Sequence, residues 1–555
     1  MIRHTIVASI LLPLSVIAGG GLVNGPIIGP GISSSGVLSV TDSALPAFIA
    51  ANNLTDQNTI NDLNGFFRAL NATGHRADFV DGMLLAQRFN PTNLNTIMGQ
   101  KMLIINGATW TPWGFNCSSP NNLNTSNNTN GNSTNGIAMT VGSLTTNTVV
   151  FTIRFNQNLY AAMPLSSDNP WCFDRENLFG LVNTNTRDGI WGENSINGSF
   201  GSRFVERSNS VQYATFFGGS DPHSFSLPST APAGNPGNSR LFYTATFCFT
   251  SDGHGKRQLW VDAIPMWTGS SLNATVYNST NYPSTGLNQV IFGADTNWLS
   301  NTDSFGNNMK LFSGEVQSVQ VYKCFADTNL VNFSFIAAQY IPDTSRSDFF
   351  DGDSIFQGAT VISTTNMLSW VMEEALGQAN WHDYSQGGTR LDGYPTNLAN
   401  PMALMPRDKY TEIWEWTDIG RNDVANVGGS TVLAGVVYTN FMDIVGRHKN
   451  LPNMRLGVLA SPGAGNGAPT QFGLNTNLFL LNQLLISVGY GIDRVFPSYQ
   501  YVLTNAIGMS TNTTYYTTDG LHPNGIPGGA FLVKEMADGL LNRSFYDPIG
   551  NVYVK

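Results

Sequence analysis

The chain has 555 residues, 27 Lys+Arg against 37 Asp+Glu, and a net charge of −10. Only 12% of its residues are charged, against an ordinary share of about 25%, and Gly, Asn, Ser and Thr fill the difference, as suits β-rich extracellular or particle-surface proteins. No basic block occurs, which argues against a phosphate-tracking surface and so against a nucleic-acid partner.

Residues 1–20 start Met1-Ile2-Arg3-His4, continue as an apolar run from Ile6 to Ala18 broken by Pro13, and end on small residues. This reads as a secretory signal peptide or, alternatively, as an N-terminal anchor to a larger assembly. The run is short for a membrane span and no other stretch is apolar enough, so no span is expected in the mature chain. Residues 21–40 form a Gly/Pro linker arm. Residues 41–108 read as a small helical module: Leu63, Phe66, Phe67 and Leu70 recur at three- and four-residue steps, and Asn71 to Gly74 supply a stop. Met102 to Trp110 reads as a strand and turn.

Residues 109–340 carry many short apolar runs separated by turn signals, after an Asn/Ser/Thr/Gly-rich loop at 121–135. Runs such as 148–155, 241–249, 258–263, 290–294 and 316–322 argue for an antiparallel sandwich. Their succession resembles concanavalin A-like (laminin-G-like) jelly-roll domains, and the segment Asp56 to Gly107 resembles linker modules of phage and other viral surface proteins. The four cysteines, Cys117, Cys172, Cys248 and Cys324, allow two disulfides or free buried thiols, and their spacing has no metal-site rhythm. Trp110, Trp113, Trp171, Trp191 and Trp260 could stack on sugars, with core packing as the plainer role. Asp252, Asp262 and Asp295 could hold calcium at loop tips, but follow no calcium-loop spacing. Asn-x-Ser/Thr sequons such as those at Asn53, Asn197, Asn273 and Asn512 are no more than this composition gives by chance.

From Asp348 the pattern changes to strands alternating with helices: helical spacing over 360–376, 430–445 and 478–488, strands at 411–417 and 454–460. That alternation predicts an α/β three-layer domain with a parallel sheet. The apolar run Phe349-Phe350 meets the turn Gly352-Asp353-Ser354, where a strand end would lift the Ser354 hydroxyl onto the sheet rim. An activated serine needs a base, a group orienting it and oxyanion donors. This domain holds His382, His448 and His522, and His522 sits in Asp519-Gly520-Leu521-His522-Pro523, where a carboxylate three residues before the histidine can reach its Nδ1. Asn422, in Gly420-Arg421-Asn422-Asp423 after a strand, can project an amide donor, and Gly387, in Ser385-Gln386-Gly387-Gly388-Thr389, can offer a backbone N–H, with Gly388 as the alternative.

In this order the four blocks resemble those of the SGNH hydrolases, the GDSL esterase/lipase superfamily, over about residues 346–543. The resemblance implies a catalytic triad of Ser354, Asp519 and His522, and an oxyanion hole of the Ser354 and Gly387 N–H groups with the Asn422 side chain. Ile355 stands where the family has leucine, and Asp351 where an apolar or small residue is commoner. The expected fold class is multidomain: a jelly-roll antiparallel β-sandwich followed by an SGNH-like α/β three-layer hydrolase domain over 346–555. The expected function is a serine esterase, a carbohydrate O-acetylesterase with a glycan-binding sandwich, secreted or on a virion surface, with an acylated glycan or other ester as partner. No cofactor and no metal are expected, and homo-oligomerisation or attachment to a larger particle stays open. Two alternatives stand beside it: a virion or tail-fibre attachment protein that mainly binds a receptor, and a lipase or phospholipase of the same fold.

Overall fold

The computed structural model describes residues 42–84, 95–100, 102–105, 109–111, 114–116, 136–155, 176–182, 189–197, 199–208, 211–216, 244–253, 257–269, 286–293, 310–311, 314–342, 344–353, 355–356, 368–377, 381–385, 399–418, 421–424, 434–449, 451–460, 493–497, 522–523 and 527–542. The expected leader, linker arm, 121–135 loop and 478–488 helix lie outside them. Two helices open the described chain, α1 (Ala44–Ala51) and α2 (Gln57–Ala72). Asp56 starts α2, accepting the Thr59 N–H at 2.7 Å and so satisfying one of the first-turn donors. Leu63, Phe66, Phe67 and Leu70 are buried, as their spacing predicts.

Among the described residues of the segment expected to be a helical module, the helices end at Ala72. Strands β1 (Phe79–Leu84) and β2 (Leu103–Ile105) follow, and each joins a sheet of the sandwich. Phe79, Met83 and Leu84 are buried in β1, and that strand is held by its long-range pairing with the strand Gly314–Tyr322, from Phe79↔Tyr322 to Leu84↔Ser318.

Fourteen further strands complete two sheets. They are β3 (Thr109–Thr111), β4 (Gly114–Asn116), β5 (Gly136–Leu144), β6 (Asn147–Phe155), β7 (Glu176–Val182), β8 (Gly189–Asn197), β9 (Ser199–Ser208), β10 (Val211–Phe216), β11 (Thr244–Ser251), β12 (Arg257–Val261), β13 (Ile264–Gly269), β14 (Leu287–Gly293), β15 (Lys310–Leu311) and β16 (Gly314–Tyr322). One sheet runs β13-β12-β11-β6-β16-β4-β3, with β1 also on β16. The other runs β10-β9-β8-β7-β14-β5-β2, with the short β15 parallel to β7. The faces meet where Phe151 of β6 sets its ring edge-on to Phe292 of β14, centroids 5.5 Å apart. Cys248 and Cys324 are free thiols, so two disulfides do not form among the four cysteines. Cys248 is sealed in the core of the sandwich and Cys324 stands just past β16. Trp260 packs against the core.

After helix α3 (Thr328–Tyr340) the third sheet begins with β17 (Arg346–Phe350). Helix α4 (Leu368–Leu376), β18 (Trp381–Asp383), α5 (Ala399–Leu404), β19 (Glu412–Thr417), α6 (Arg421–Val424), α7 (Ala434–Lys449), β20 (Met454–Ala460), β21 (Arg494–Pro497) and α8 (Pro527–Asn542) follow. The order β18-β17-β19-β20-β21 is parallel throughout. Strand alternation splits the core: Phe349 faces the cluster shared with the sandwich, and Phe350 faces the one that α4 and α8 cover. Residues Val37–Lys555 cohere as one unit, so sandwich and parallel sheet share their packing.

Candidate active site

Numbered along the chain, the parallel strands lie in the order 2-1-3-4-5. The connections leave β17 and β19 in opposite directions, and it is at the carboxyl ends of such strands that doubly wound sheets take ligands. The Gly-Asp-Ser block follows β17, and the block holding Asn422 follows β19. The strands are in register, Phe350 beside Trp416, so both blocks start at the same level. The Gly387 block starts at that level too, after Asp383 of β18, which pairs with Phe350.

Backbone bonds draw the chain across this edge. Asp351 donates its N–H to the Trp416 carbonyl at 2.9 Å, and Tyr384 donates its N–H to the Phe350 carbonyl at 2.8 Å. The fully buried Asp418 then organises the turn. Its Oδ1 accepts the Asp353 N–H at 2.6 Å, and its Oδ2 accepts the Phe356 N–H at 3.3 Å. Gly352 is required here by close approach, since a Cβ at that position would lie 2.2 Å from Asp418 Oδ1. Asp353 closes the turn from within, its Oδ1 accepting the Ile355 N–H at 2.8 Å. Burial first, and the neighbouring Asp353 carboxylate second, push Asp418 well above the ordinary aspartate range.

Asn422, on the one-turn α6, is 7% exposed and donates its amide to Asp353 Oδ2 at 3.3 Å. The structure thus brings the Gly352-Asp353 turn and Asn422 together. His522 is half-buried, next to the buried Pro523 and ahead of α8. Ser354, Gly387, Gly388 and Asp519 lie outside the described residues.

His382 is in the core and faces the sandwich. Its ring stacks on Phe349, centroids 5.1 Å apart, and its Nδ1 lies 3.1 Å from Asp262 Oδ2. Asp262 and Ala263 both have positive φ, +51° and +60°, and make the two-residue turn between β12 and β13. Asp262 sits at this hairpin tip, but its side chain is turned into the core. It is fully buried, taking the Thr246 N–H at 2.8 Å on Oδ1 and the Tyr384 hydroxyl at 2.5 Å on Oδ2. The sequence reading gave no role to Asp418 or to the Asp262–His382–Tyr384 cluster. Asp418 had a local signal, a carboxylate directly after a strand. The cluster spans 122 residues and had none.

No protein-family model matches the chain, and no curated protein matches it. Among solved structures it is similar to a lipolytic G-D-S-L family member from Veillonella parvula, at 17% identity over 36% of this chain and 99% of that one, TM-score 0.29. Phospholipase A1 from Streptomyces albidoflavus is similar at 12% identity over 36% of this chain and 100% of that one, TM-score 0.25. A botulinum neurotoxin serotype D binding domain is similar at 10% identity over 46% of this chain and 51% of that one, TM-score 0.26. Overlaps this loose assign no residue and no activity.

Proposed function

We propose that the chain is a serine ester hydrolase working at the carboxyl edge of β17 and β19. Ser354 attacks the ester carbonyl while His522 takes its proton, and Asp519 orients the imidazole and stabilises the imidazolium. The proton passes to the leaving alcohol as the C–O bond breaks. Water then attacks the acyl-enzyme, with His522 again as base, and releases the acid. The oxyanion is met by the N–H groups of Ser354 and Gly387 and by the Asn422 amide, each such donor worth about 3–4 kcal/mol in the transition state.

The observation that carries this reading is the bond from Asn422 Nδ2 to Asp353 Oδ2 at 3.3 Å. The Asn422 amide thus lies beside the residue that precedes Ser354, at the edge where the sheet order reverses. The substrate we favour is a short-chain ester on an extracellular or particle-surface glycan. Its support is architectural, a sandwich built onto an α/β hydrolase sheet, and is analogy.

The test is hydrolysis of p-nitrophenyl acetate by the wild type and Ser354→Ala, with mass-spectrometric mapping of a fluorophosphonate label. A loss of about 10³-fold or more, with the label on Ser354, is expected. Equal rates would sink the assignment. Rates that climb with acyl length from acetate to octanoate would turn the substrate reading toward a lipase.

A further inference from the structure

In the turn after α2, three unlike donors converge. Helix α2 ends at Ala72, and Gly74 turns the chain with φ +81°. His75 and Asp78 then share one turn, closed by the Asp78 N–H on the His75 carbonyl at 3.0 Å. Lys323 donates its N–H to the Asp78 carbonyl at 2.8 Å, which brings Cys324 alongside. The Cys324 carbonyl is itself fixed by the Thr148 hydroxyl at 2.8 Å. Asp327 caps α3, accepting the Leu330 N–H at 2.9 Å. These bonds hold the backbone of His75, Asp78 and Cys324 and the Asp327 carboxylate in place.

His75 Nδ1 lies 2.9 Å from Asp78 Oδ2 and 3.7 Å from Cys324 Sγ. The three donor atoms all lie within 4.8 Å of one another. A tetrahedral zinc ion with bonds of about 2.0–2.3 Å sets neighbouring donors roughly 3.3–3.7 Å apart, close to this spacing. The other ring nitrogen, Nε2, lies 3.1 Å from Asp327 Oδ1. That is the arrangement in which a carboxylate behind the ring fixes the tautomer and aims the opposite lone pair at a metal.

We infer that His75 Nδ1, Asp78 Oδ2 and Cys324 Sγ form a binding site for a divalent transition-metal ion, best suited to zinc, with Asp327 as the positioning residue behind the imidazole. In the metal-free state His75 and the Cys324 thiol both bond to the Asp78 carboxylate, and a metal ion would replace those protons with one centre shared by all three donors. Thiolate, imidazole and carboxylate together select zinc or a close relative over calcium or magnesium. Binding replaces the S–H bond by an S–metal bond and releases that proton to solvent. The bound ion would tie the turn after α2 to the end of β16. The sequence reading expected no metal because the cysteine spacing has no ligand rhythm. The histidine and the cysteine of this site are 249 residues apart.

The test uses the full chain, stripped with a chelator and titrated with zinc chloride by calorimetry. Alkylation of Cys324 by iodoacetamide is followed by peptide mass spectrometry with and without zinc. One ion per chain and at least about tenfold protection of Cys324 are expected, with Asp327→Asn weakening the affinity about 10–100-fold. Cys324→Ser and His75→Asn, checked for folding by circular dichroism, should each lose the ion. No zinc uptake, unchanged alkylation of wild-type Cys324, or full binding retained in both folded variants would overturn the site. The alkylation result decides the matter on the wild type alone if a variant does not fold. None of these readings depends on ester hydrolysis.

Discussion

Asp418 Oδ1 accepts the backbone N–H of Asp353 at 2.6 Å across a sequence gap of 65 residues. This bond places the turn before Ser354 from the neighbouring strand rather than from its own. Asp418→Ala should therefore cost about 1–3 kcal/mol, the penalty for orphaning buried N–H groups, and lower kcat for ester hydrolysis more than it changes KM. Urea unfolding and steady-state kinetics measure the two effects. Unchanged kcat in a folded variant would detach the turn from catalysis.

The same carboxyl gives a pH dependence of definite sign. Its folded-state affinity for a proton is raised, by burial first and by Asp353 next. A carboxyl raised on folding lends most stability below its unfolded value, about 4, and loses that contribution as pH climbs through the folded value. Asp418→Asn has no such titration. The stability difference between wild type and Asp418→Asn should therefore shift in favour of the variant as pH rises from about 4. Urea midpoints for both proteins across that range check it, and a constant difference would contradict it.

Gly352 is set by space. A Cβ there would lie 2.2 Å from Asp418 Oδ1 and 2.8 Å from Phe356 Cδ2. Gly352→Ala should cost about 1–3 kcal/mol by overpacking, and should lower esterase activity by more than the loss of folded protein explains. Activity per folded molecule, from active-site labelling and thermal unfolding, separates the two effects.

Local patterns explain what could be read from the sequence. The three- and four-residue steps of Leu63, Phe66, Phe67 and Leu70 gave α2, and the apolar runs ending at Phe350 and Thr417 gave β17 and β19. The SGNH resemblance, not the local pattern, groups Asn422 with the Gly352-Asp353-Ser354 turn; the parallel register sets the starts of both blocks at one level. Features made by long-range pairing were not legible. Strand β1 was missed because Asp81 and Gly82 interrupt its apolar run; its partner is Gly82↔Gln320 of β16. Asp262 read as a loop-tip carboxylate because nothing in its neighbours announces His382 and Tyr384.

That buried cluster joins the sandwich to the edge of the parallel sheet. Asp262 Oδ2 takes the Tyr384 hydroxyl at 2.5 Å and faces His382 Nδ1 at 3.1 Å. Tyr384→Phe removes one bond and keeps the ring stack on Phe349. It should cost about 1–3 kcal/mol, with the loss cut in a double-mutant cycle against Asp262→Asn, since the two residues share one interaction. Additive effects in that cycle would show that the hydroxyl bond adds nothing.

Arg76 clamps Asp42 in a two-point bond, Nε on Oδ2 at 2.8 Å and Nη2 on Oδ1 at 3.1 Å, and so ties the chain before α1 to the turn after α2. The Asp42 side chain is 5% exposed and Arg76 24%, so the pair is partly shielded from water. Burial would raise this carboxyl, but the bonds from Arg76, Ala44 and Asn71 outweigh it and hold Asp42 below the ordinary range. A carboxyl lowered on folding lends its full stability above the unfolded value, about 4, and loses it as pH falls through the folded value. Asp42→Asn should cost about 1–3 kcal/mol at neutral pH, and the gap to the wild type should close on acidification below about pH 4. Urea midpoints of both proteins at neutral and acid pH measure this. A gap that widens in acid would mean that Asp42 is held by something other than its charge.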